Sequence, residues 1–474
     1  MKKLFLTSAL IIGLSLGSTT ALAADKINVL ASGMPLLFTV SDGYGIPFID
    51  QNGRTQLPLR KCVASLGAEV DYKQDTQEIS ITKGATNISL KIGEKFLDIN
   101  GETAELDTAA VLIDNRTYLP IRPIAEALGY QVKWEADEKT VIIDQNLAAE
   151  DIPIVDLSSR LQANTSKNCG EWFVSDGKLY YYNKDNNLVR EDLHKQGLAH
   201  IIRVMKDEYT EQIALNPPKK CGNYILSSYA TAGMTGSVKY FLTAADGSEY
   251  SFVSSTMMPL NFACDGEYII ITGTDAENNL QIIHNGTDES FPTPEIKFNI
   301  RYTANDAQRV TAPIIAEGKV YTAAYQSKEK AYYLAEIDLA SKEVKLLAQA
   351  LPQKMQDVNG AVYYLADNEL WLYQENENVL LAQNITDFAV SGEAVYVADN
   401  GKGLCFLEND GKLRLLAGFF AVQSLEAADG YVLAKLDNDG ESFWLLLDDN
   451  GNVAGAVMNA REVCYASGKI CVEK

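Results

Sequence analysis

The chain has 474 residues, which suggests two or three domains, and its 47% hydrophobic and 22% charged content excludes disorder over most of the length. Acidic side chains outnumber basic ones 63 to 41, a formal net charge of −22. That balance repels phosphate backbones and anionic membranes, so nucleic acid is excluded as an expected partner. Only His194, His200 and His284 are present, which leaves little room for metal chemistry or imidazole catalysis.

Lys2 and Lys3 precede an apolar stretch from Leu4 to about Leu16, then Gly17, Ser18, Thr19, Thr20 and Ala21-Leu22-Ala23. A charged start, a short apolar core and a small-residue cleavage site predict a signal peptide over residues 1–23. The core is shorter than the ~20 residues that cross a bilayer. No cysteine adjoins the cleavage site, so no lipid anchor is expected there. The expected mature chain has no integral membrane segment and is secreted or envelope-associated, with a bacterial style of export signal.

Residues 24–150 contain a duplicated unit at an offset of 62 residues. Arg54-Thr55-Gln56-Leu57-Pro58-Leu59-Arg60 matches Arg116-Thr117-Tyr118-Leu119-Pro120-Ile121-Arg122, and Leu66-Gly67 matches Leu128-Gly129. Pro58 and Pro120 suit the first turn of a helix. Gly67 and Gly129 suit the left-handed residue that ends one. The apolar positions between them, Leu59, Val63 and Leu66 or Ile121, Ala125 and Leu128, have helical spacing. Alternating segments then predict a β-hairpin in each copy, with further strands over 87–99 and 101–112.

Asn52-Gly53-Arg54-Thr55-Gln56-Leu57-Pro58-Leu59-Arg60, the later Leu-Gly and the aromatic residue after Val132 resemble the copper amine oxidase N-terminal-like domain, also called the stalk domain. The resemblance covers roughly residues 28–145. It implies a small α+β appendage without catalysis, since copper and the quinone cofactor belong to another domain. No His-X-His pair or Asn-Tyr-Asp/Glu cofactor precursor occurs, so copper amine oxidase activity is not expected. Arg60 and Arg122 invite an anion-binding or wall-binding reading, but their repetition favours a structural role in fixing helix against sheet.

Residues 151–474 repeat a different element: an apolar strand, a tight turn ending in glycine and a second apolar strand. The turn glycines are Gly177, Gly222, Gly266, Gly318, Gly360, Gly392, Gly430 and Gly468, at steps of 45, 44, 52, 42, 32, 38 and 38 residues. A period near 40 with about four strands predicts β-propeller blades. Second hairpins follow at turns such as Asp246-Gly247, Asn285-Gly286, Asp410-Gly411 and Asn450-Gly451. Eight first hairpins but seven second ones predict that Ile152-Pro153-Ile154-Val155-Asp156-Leu157 supplies the missing strand of an eight-bladed ring, with seven blades as the alternative. This pattern resembles bacterial extracytoplasmic propellers of the domain of unknown function 5050 type, and more generically tricorn and TolB-like propellers. The expected fold is thus a small α+β stalk-like domain followed by an all-β propeller.

The aromatic residues Trp172, Tyr180, Tyr182, Trp371 and Trp444 alternate along strands, which favours packing between blades over a sugar-stacking surface. Asp448-Asp449-Asn450-Gly451-Asn452 and Asp437-Asn438-Asp439-Gly440-Glu441 lack the full ligand run of a calcium loop. No catalytic or metal-ligating residue is assigned and no cofactor is expected. Of the seven cysteines, Cys62 reads as a helical core residue, and a turn at Ser467-Gly468 makes Cys464 face Cys471, the best disulfide candidate. These features predict an exported, non-catalytic binding or adaptor protein whose partner is an extracellular protein or cell-wall glycan. The alternative is a propeller hydrolase or lyase with a carboxylate site in its central channel.

Overall fold

The computed structural model describes residues 27–473 except 32, 37, 39–42, 137–138, 145–151, 167–168, 170, 194–198, 206–212, 232–236, 245–247, 255–259, 274–279, 290–292, 294, 299–310, 418–419, 439–440 and 459. The signal segment, the junction near residues 147–150, His194 and the Asp246-Gly247 and Asp439-Gly440 turns lie outside the described residues. The chain divides into two compact units with the boundary between Ala149 and Glu150. Among the described residues, no helix is long and apolar enough to cross a membrane.

In the first unit, β1 (Asn28–Ala31), β2 (Met34–Pro35), β3 (Phe48–Ile49) and β4 (Thr55–Pro58) lead into helix α1 (Leu59–Ser65). An antiparallel sheet follows, formed in order by β5 (Glu69–Lys73), β6 (Glu78–Lys83), β7 (Thr86–Lys91), β8 (Phe96–Ile99) and β9 (Glu102–Glu105). Then come β10 (Val111–Ile113), β11 (Arg116–Leu119), helix α2 (Arg122–Ala127), β12 (Gln131–Glu135) and β13 (Thr140–Asp144). Two further sheets have the orders β10-β11-β4-β3 and β12-β13-β1-β2.

The two sequence copies meet through equivalent strands. β4 and β11 pair antiparallel, with Leu57 opposite Leu119 and Pro58 opposite Tyr118. Leu57 and Leu119 are the same position of the two copies, so this pairing relates the copies by a local two-fold axis. Both leucines are at most 1% exposed and join one core with Cys62, Val63, Ile81, Ile124 and Ile143. Away from the axis the copies diverge. β6 pairs antiparallel with β7, whereas β13 takes the N-terminal strand β1 in parallel.

Both helices end as the glycines predict. Gly67 has φ +71° and donates to Ala64 O at 3.0 Å, and Gly129 has φ +85° and donates to Glu126 O at 3.0 Å. Nothing lies within 4 Å of a Cβ built at either site, so backbone conformation rather than crowding calls for glycine. The placement of the prolines is corrected. Pro58 is the extended residue before α1, with φ −62° and ψ 111°, and the first turn of α2 holds Pro123 while Pro120 precedes it. The proline ring sets φ near −65°, which both extended and helical backbone accept, so spacing did not separate the last strand residue from the first turn.

The second unit opens with β14 (Ile154–Asp156) and helix α3 (Ser158–Asn164), then runs through consecutive sheets. Sheets 1 to 7 occupy residues 172–203, 213–254, 261–288, 296–348, 354–383, 385–417 and 421–458, each with four strands except the five-stranded sheet 4. Sheet 8 joins the terminal hairpin, Glu462–Ala466 and Lys469–Glu473, to β14. β14 runs parallel to the last strand, with Val155 opposite Cys471. The first strands of successive sheets are neighbours in turn, with Ile314–Ala316 taking that place in sheet 4, and that of sheet 8 returns to that of sheet 1. This is a propeller-like arrangement.

All eight turn glycines have φ between +55° and +114°. In five of those turns the preceding residue (Asp176, Glu317, Asn359, Asp429 or Ser467) is also left-handed, as two-residue hairpins need. Apolar clusters fill the gaps between sheets: Tyr182, Leu188 and Tyr229 between sheets 1 and 2, and Leu161, Trp172, Leu179, Ala466 and Cys471 between sheets 8 and 1. Helix α3 is a departure from the strand-only reading. It spans seven residues, and Leu161 is its one buried side chain, too few for a helical period to stand out.

Candidate functional site

First strands of neighbouring sheets share no ladder, so side chains join them. Lys354, on the first strand of sheet 5, places Nζ 2.7 Å from Asp387 Oδ1 of sheet 6 and 2.7 Å from the Leu425 carbonyl of sheet 7. The other oxygen of Asp387 accepts from the Leu425 N–H at 2.8 Å. One lysine–aspartate pair thus ties three sheets. Two residues on, Gln356 accepts from the Val390 N–H at 2.9 Å and donates to the Val390 carbonyl, imitating a strand partner.

A second set of clasps lies at the turn ends of the first strands. Lys220 donates to Ser175 Oγ at 2.9 Å and to Asp176 at 3.2 Å, linking sheets 1 and 2. Cys221 and Cys264 are disulfide-bonded between sheets 2 and 3. The Glu317 carboxylate lies 2.6 Å from where a Cβ on Gly360 would sit, between sheets 4 and 5. The Ser467 N–H donates to Asp429 Oδ2 at 2.9 Å between sheets 7 and 8. Equivalent ends are therefore adjacent, and these turns gather on one side of the unit. Acidic residues there, among them Asp176, Asp265, Glu267, Glu317, Asp357 and Asp429, slightly outnumber the lysines, among them Lys178, Lys220, Lys319 and Lys469. Burial, helped by the nearby Glu317, holds the Asp357 carboxyl above its ordinary value.

Carboxylates also converge where the first strands of sheets 7, 8 and 1 meet. Glu473 is engaged: it accepts from Trp172 Nε1 at 2.8 Å and pairs with Arg461 at 3.0 Å. Among the described residues, Glu462 has only the longer contact to Lys435, 3.9 Å. Burial raises its pKa above the ordinary 4.5; Lys435 opposes the shift, and Glu426, Glu171 and Glu473 reinforce it. The folded state therefore binds more protons than the unfolded chain just above that ordinary value. Stability falls as pH rises through the window between the two pKa values. Glu462→Gln removes this penalty, so the variant is expected to melt slightly above the parent at pH 7 and level with it at pH 3.5. An equal gain at both pH values would sink this assignment.

The residues singled out from the sequence divide differently. Arg60 and Arg122 are exposed, and neither makes a hydrogen bond or ion pair with another described residue, which corrects the structural role assigned to them. α1 turns Leu59, Cys62 and Val63 inward, so Arg60 points outward. The tethering arginines are the earlier pair: Arg54 meets Asp107 at 3.0 Å, and Arg116 Nε donates to the Gly43 carbonyl at 2.7 Å. The close approach of Gly45 to Tyr118 beside it leaves no room for a Cβ.

The disulfide is also corrected. Cys464 does stand opposite Cys471 in the ladder, but both are thiols, and the bonded pair is Cys221–Cys264. Cys464 and Cys471 stand side by side facing sheet 1, where Cys464 Sγ lies 3.9 Å from the Val174 carbonyl. Burial pushes Cys471 up to about 12 and raises Cys464 as well. The available signal was positional, since Cys221 and Cys264 each end the first strand of a repeat.

Trp172, Tyr180, Tyr182 and Trp444 are buried, and Trp371 is half-buried beside Tyr364. Asp448 acts as a turn residue, accepting from the N–H groups of Asn450 and Asn452 at 2.9 and 2.8 Å. Among the described residues, no group of three or more His, Cys, Asp or Glu side chains is placed to hold a metal ion.

Residues 44–143 match the copper amine oxidase N-terminal domain. No curated protein sequence is significantly similar to the chain. Among solved structures, prolyl endopeptidases are similar at 12% identity and a TM-score of 0.41, covering 64% of this chain and 51% of theirs. The β-propeller domain of the Trilobed protease from Pyrococcus furiosus is similar at 11% identity and a TM-score of 0.38, covering 54% of this chain and 88% of that one. An extracellular domain assigned to a one-component system of B. thetaiotaomicron gives 10% identity and a TM-score of 0.40, covering 85% and 61%. The chain spans about half the length of the prolyl endopeptidases it matches. The expectation that the protein is not an enzyme is corrected: prolyl endopeptidases and acylaminoacyl peptidases are among its structural neighbours. The expectation against copper amine oxidase activity is separate and is not overturned.

Proposed function

We propose that the protein is an exported binding or adaptor protein of the bacterial envelope. Residues 151–474 form an eight-bladed propeller of the extracytoplasmic kind, and residues 24–150 act as a spacer or wall-proximal adaptor. The observation that carries this reading is the gathering of the first-hairpin turns on one side, clasped from sheet to sheet and rich in carboxylates. Loops fixed on a rigid frame make a recognition face, and its charge suits a cationic ligand. The Cys221–Cys264 bond supports export, because disulfides persist in oxidising compartments.

The test uses the full chain after removal of residues 1–23, with two probes: a lysine-rich peptide and an amino-sugar oligomer with or without N-acetylation. Binding of either cationic probe at low salt, lost at ~0.5 M where the Debye length falls to a few ångströms, is the expected result. Which probe binds decides between a protein and a glycan ligand. Equal binding of charged and uncharged probes, or binding of neither, would overturn the reading.

A related expectation concerns autonomy. Residues 24–150 and 151–474, expressed separately, should each melt cooperatively near the temperature of the matching transition in the parent. If neither does, the boundary is misplaced.

A further inference from the structure

Cys221 and Cys264 end the first strands of sheets 2 and 3, with Cα atoms 5.4 Å apart. Other seams carry ionic or hydrogen-bonded clasps at the same level, such as Lys220 with Asp176 and Asp429 with the Ser467 N–H. This seam alone among them is closed by a bond that a reductant can cut. We propose that the Cys221–Cys264 bond is the redox-addressable clasp of the second unit, and that a dithiol opens it reversibly, loosening the seam between sheets 2 and 3 while the other seams stay closed.

The two residues differ in exposure. Cys221 is 8% exposed, whereas Cys264 is half-buried and more open to solvent. A thiolate of the dithiol therefore attacks Cys264 Sγ. The S–S bond breaks, Cys221 leaves as a thiolate and takes up a proton, and a mixed disulfide forms on Cys264. The second thiol of the reagent attacks its own sulfur in that mixed disulfide and closes a ring. Cys264 is released and takes up a proton. Two electrons pass from dithiol to cystine, and the products are two protein thiols and one reagent disulfide.

Two features make the opening local and reversible. First, the backbones on either side are held together by close contact rather than by the bond alone. A Cβ on Gly222 would lie 2.2 Å from the Cys264 carbonyl oxygen, and one on Gly266 would lie 2.6 Å from the Asn223 amide. The apolar cluster of Leu242, Phe262, Ile271 and Ile283 also lies between these sheets. The separated thiols stay near each other and can re-form their bond. Second, the five remaining cysteines are poor partners for exchange. Burial raises all of their thiols, Cys62 and Cys471 to about 12, so few are thiolates at neutral pH and shuffling is suppressed.

The experiment treats the full chain with dithiothreitol at pH 7.5, alkylates with N-ethylmaleimide and maps the labels by mass spectrometry, alongside amide hydrogen exchange. Cys264 and Cys221 should be labelled at least tenfold faster than the other five cysteines, and only after reduction. Exchange over residues 221–226 and 264–269 should rise at least tenfold and return when the reductant is removed, while the Gly318, Gly360 and Gly430 turns keep their rates. The double variant Cys221→Ser, Cys264→Ser should show the faster exchange permanently and ignore dithiothreitol. The proposal is overturned if exchange rises across all sheets, if it does not change near residues 221–226, or if Cys464 and Cys471 prove to be the reducible pair. Labelling of the parent decides the matter even if the double variant fails to fold.

Discussion

Removal of residues 457–474 is expected to abolish the cooperative melting of the second unit and to cause aggregation. The truncation deletes both strands of the terminal hairpin. With them go Val463, Tyr465, Ile470, Cys471 and Val472, each at most 8% exposed. At ~1.5–3 kcal/mol per buried side chain, the loss is on the order of 10 kcal/mol, comparable to the whole stability of a domain. The damage spreads further. β14 loses the strand it pairs with, and Trp172 loses the Glu473 acceptor of its indole N–H. Sheets 7 and 1 then each expose an apolar face that sheet 8 had covered. By contrast, Cys464→Ala with Cys471→Ala removes two sulfurs and keeps both strands, so it should cost far less. A truncated chain that melts like the parent in calorimetry would show that the terminal hairpin is not part of the ring.

In the first unit, Leu57→Ala and Leu119→Ala should each cost ~2–5 kcal/mol, the range for emptying a packed leucine site. These positions sit on the local two-fold axis, opposite each other in the β4–β11 pair, and their side chains reach the core shared by both copies. A cavity there is felt by both halves. The melting temperature of this unit should fall by ~10 °C or more, since ~1 kcal/mol is worth roughly 4–8 °C in a domain of this size. The two effects should not add, because the residues share one contact. The transition of the second unit should stay where it is. A shift below ~2 °C in either single variant would remove these leucines from the centre of the core.

Local chemistry made much of the fold legible in the sequence. Gly67 and Gly129 end helices because a left-handed residue is needed there, and that need is written in one position. The eight turn glycines mark their hairpins for the same reason, and the strands after them read as short apolar runs, buried on both faces, such as Lys178–Tyr182 and Tyr268–Thr272. The 62-residue offset disclosed the duplication, since equivalent segments keep the same local pattern.

Tertiary structure decided whatever depends on which segments meet. That Leu57 faces Leu119 follows from strand pairing across 62 residues, which no periodicity encodes. Arg60 was expected to tether helix to sheet, and the direction in which α1 turns its apolar face left it in solvent, while Arg54 meets Asp107 instead. The disulfide shows the same limit. Cys464 and Cys471 are close in sequence and opposed in register, yet both face sheet 1, while Cys221 and Cys264, 43 residues apart, are bonded because two strand ends converge. The carboxylates Glu171, Glu426 and Glu462 lie far apart along the chain and act on one another only because first strands become neighbours. Backbone conformation is set by each residue and its near neighbours, whereas a site is set by the closure of sheets, and closure is a property of the whole unit.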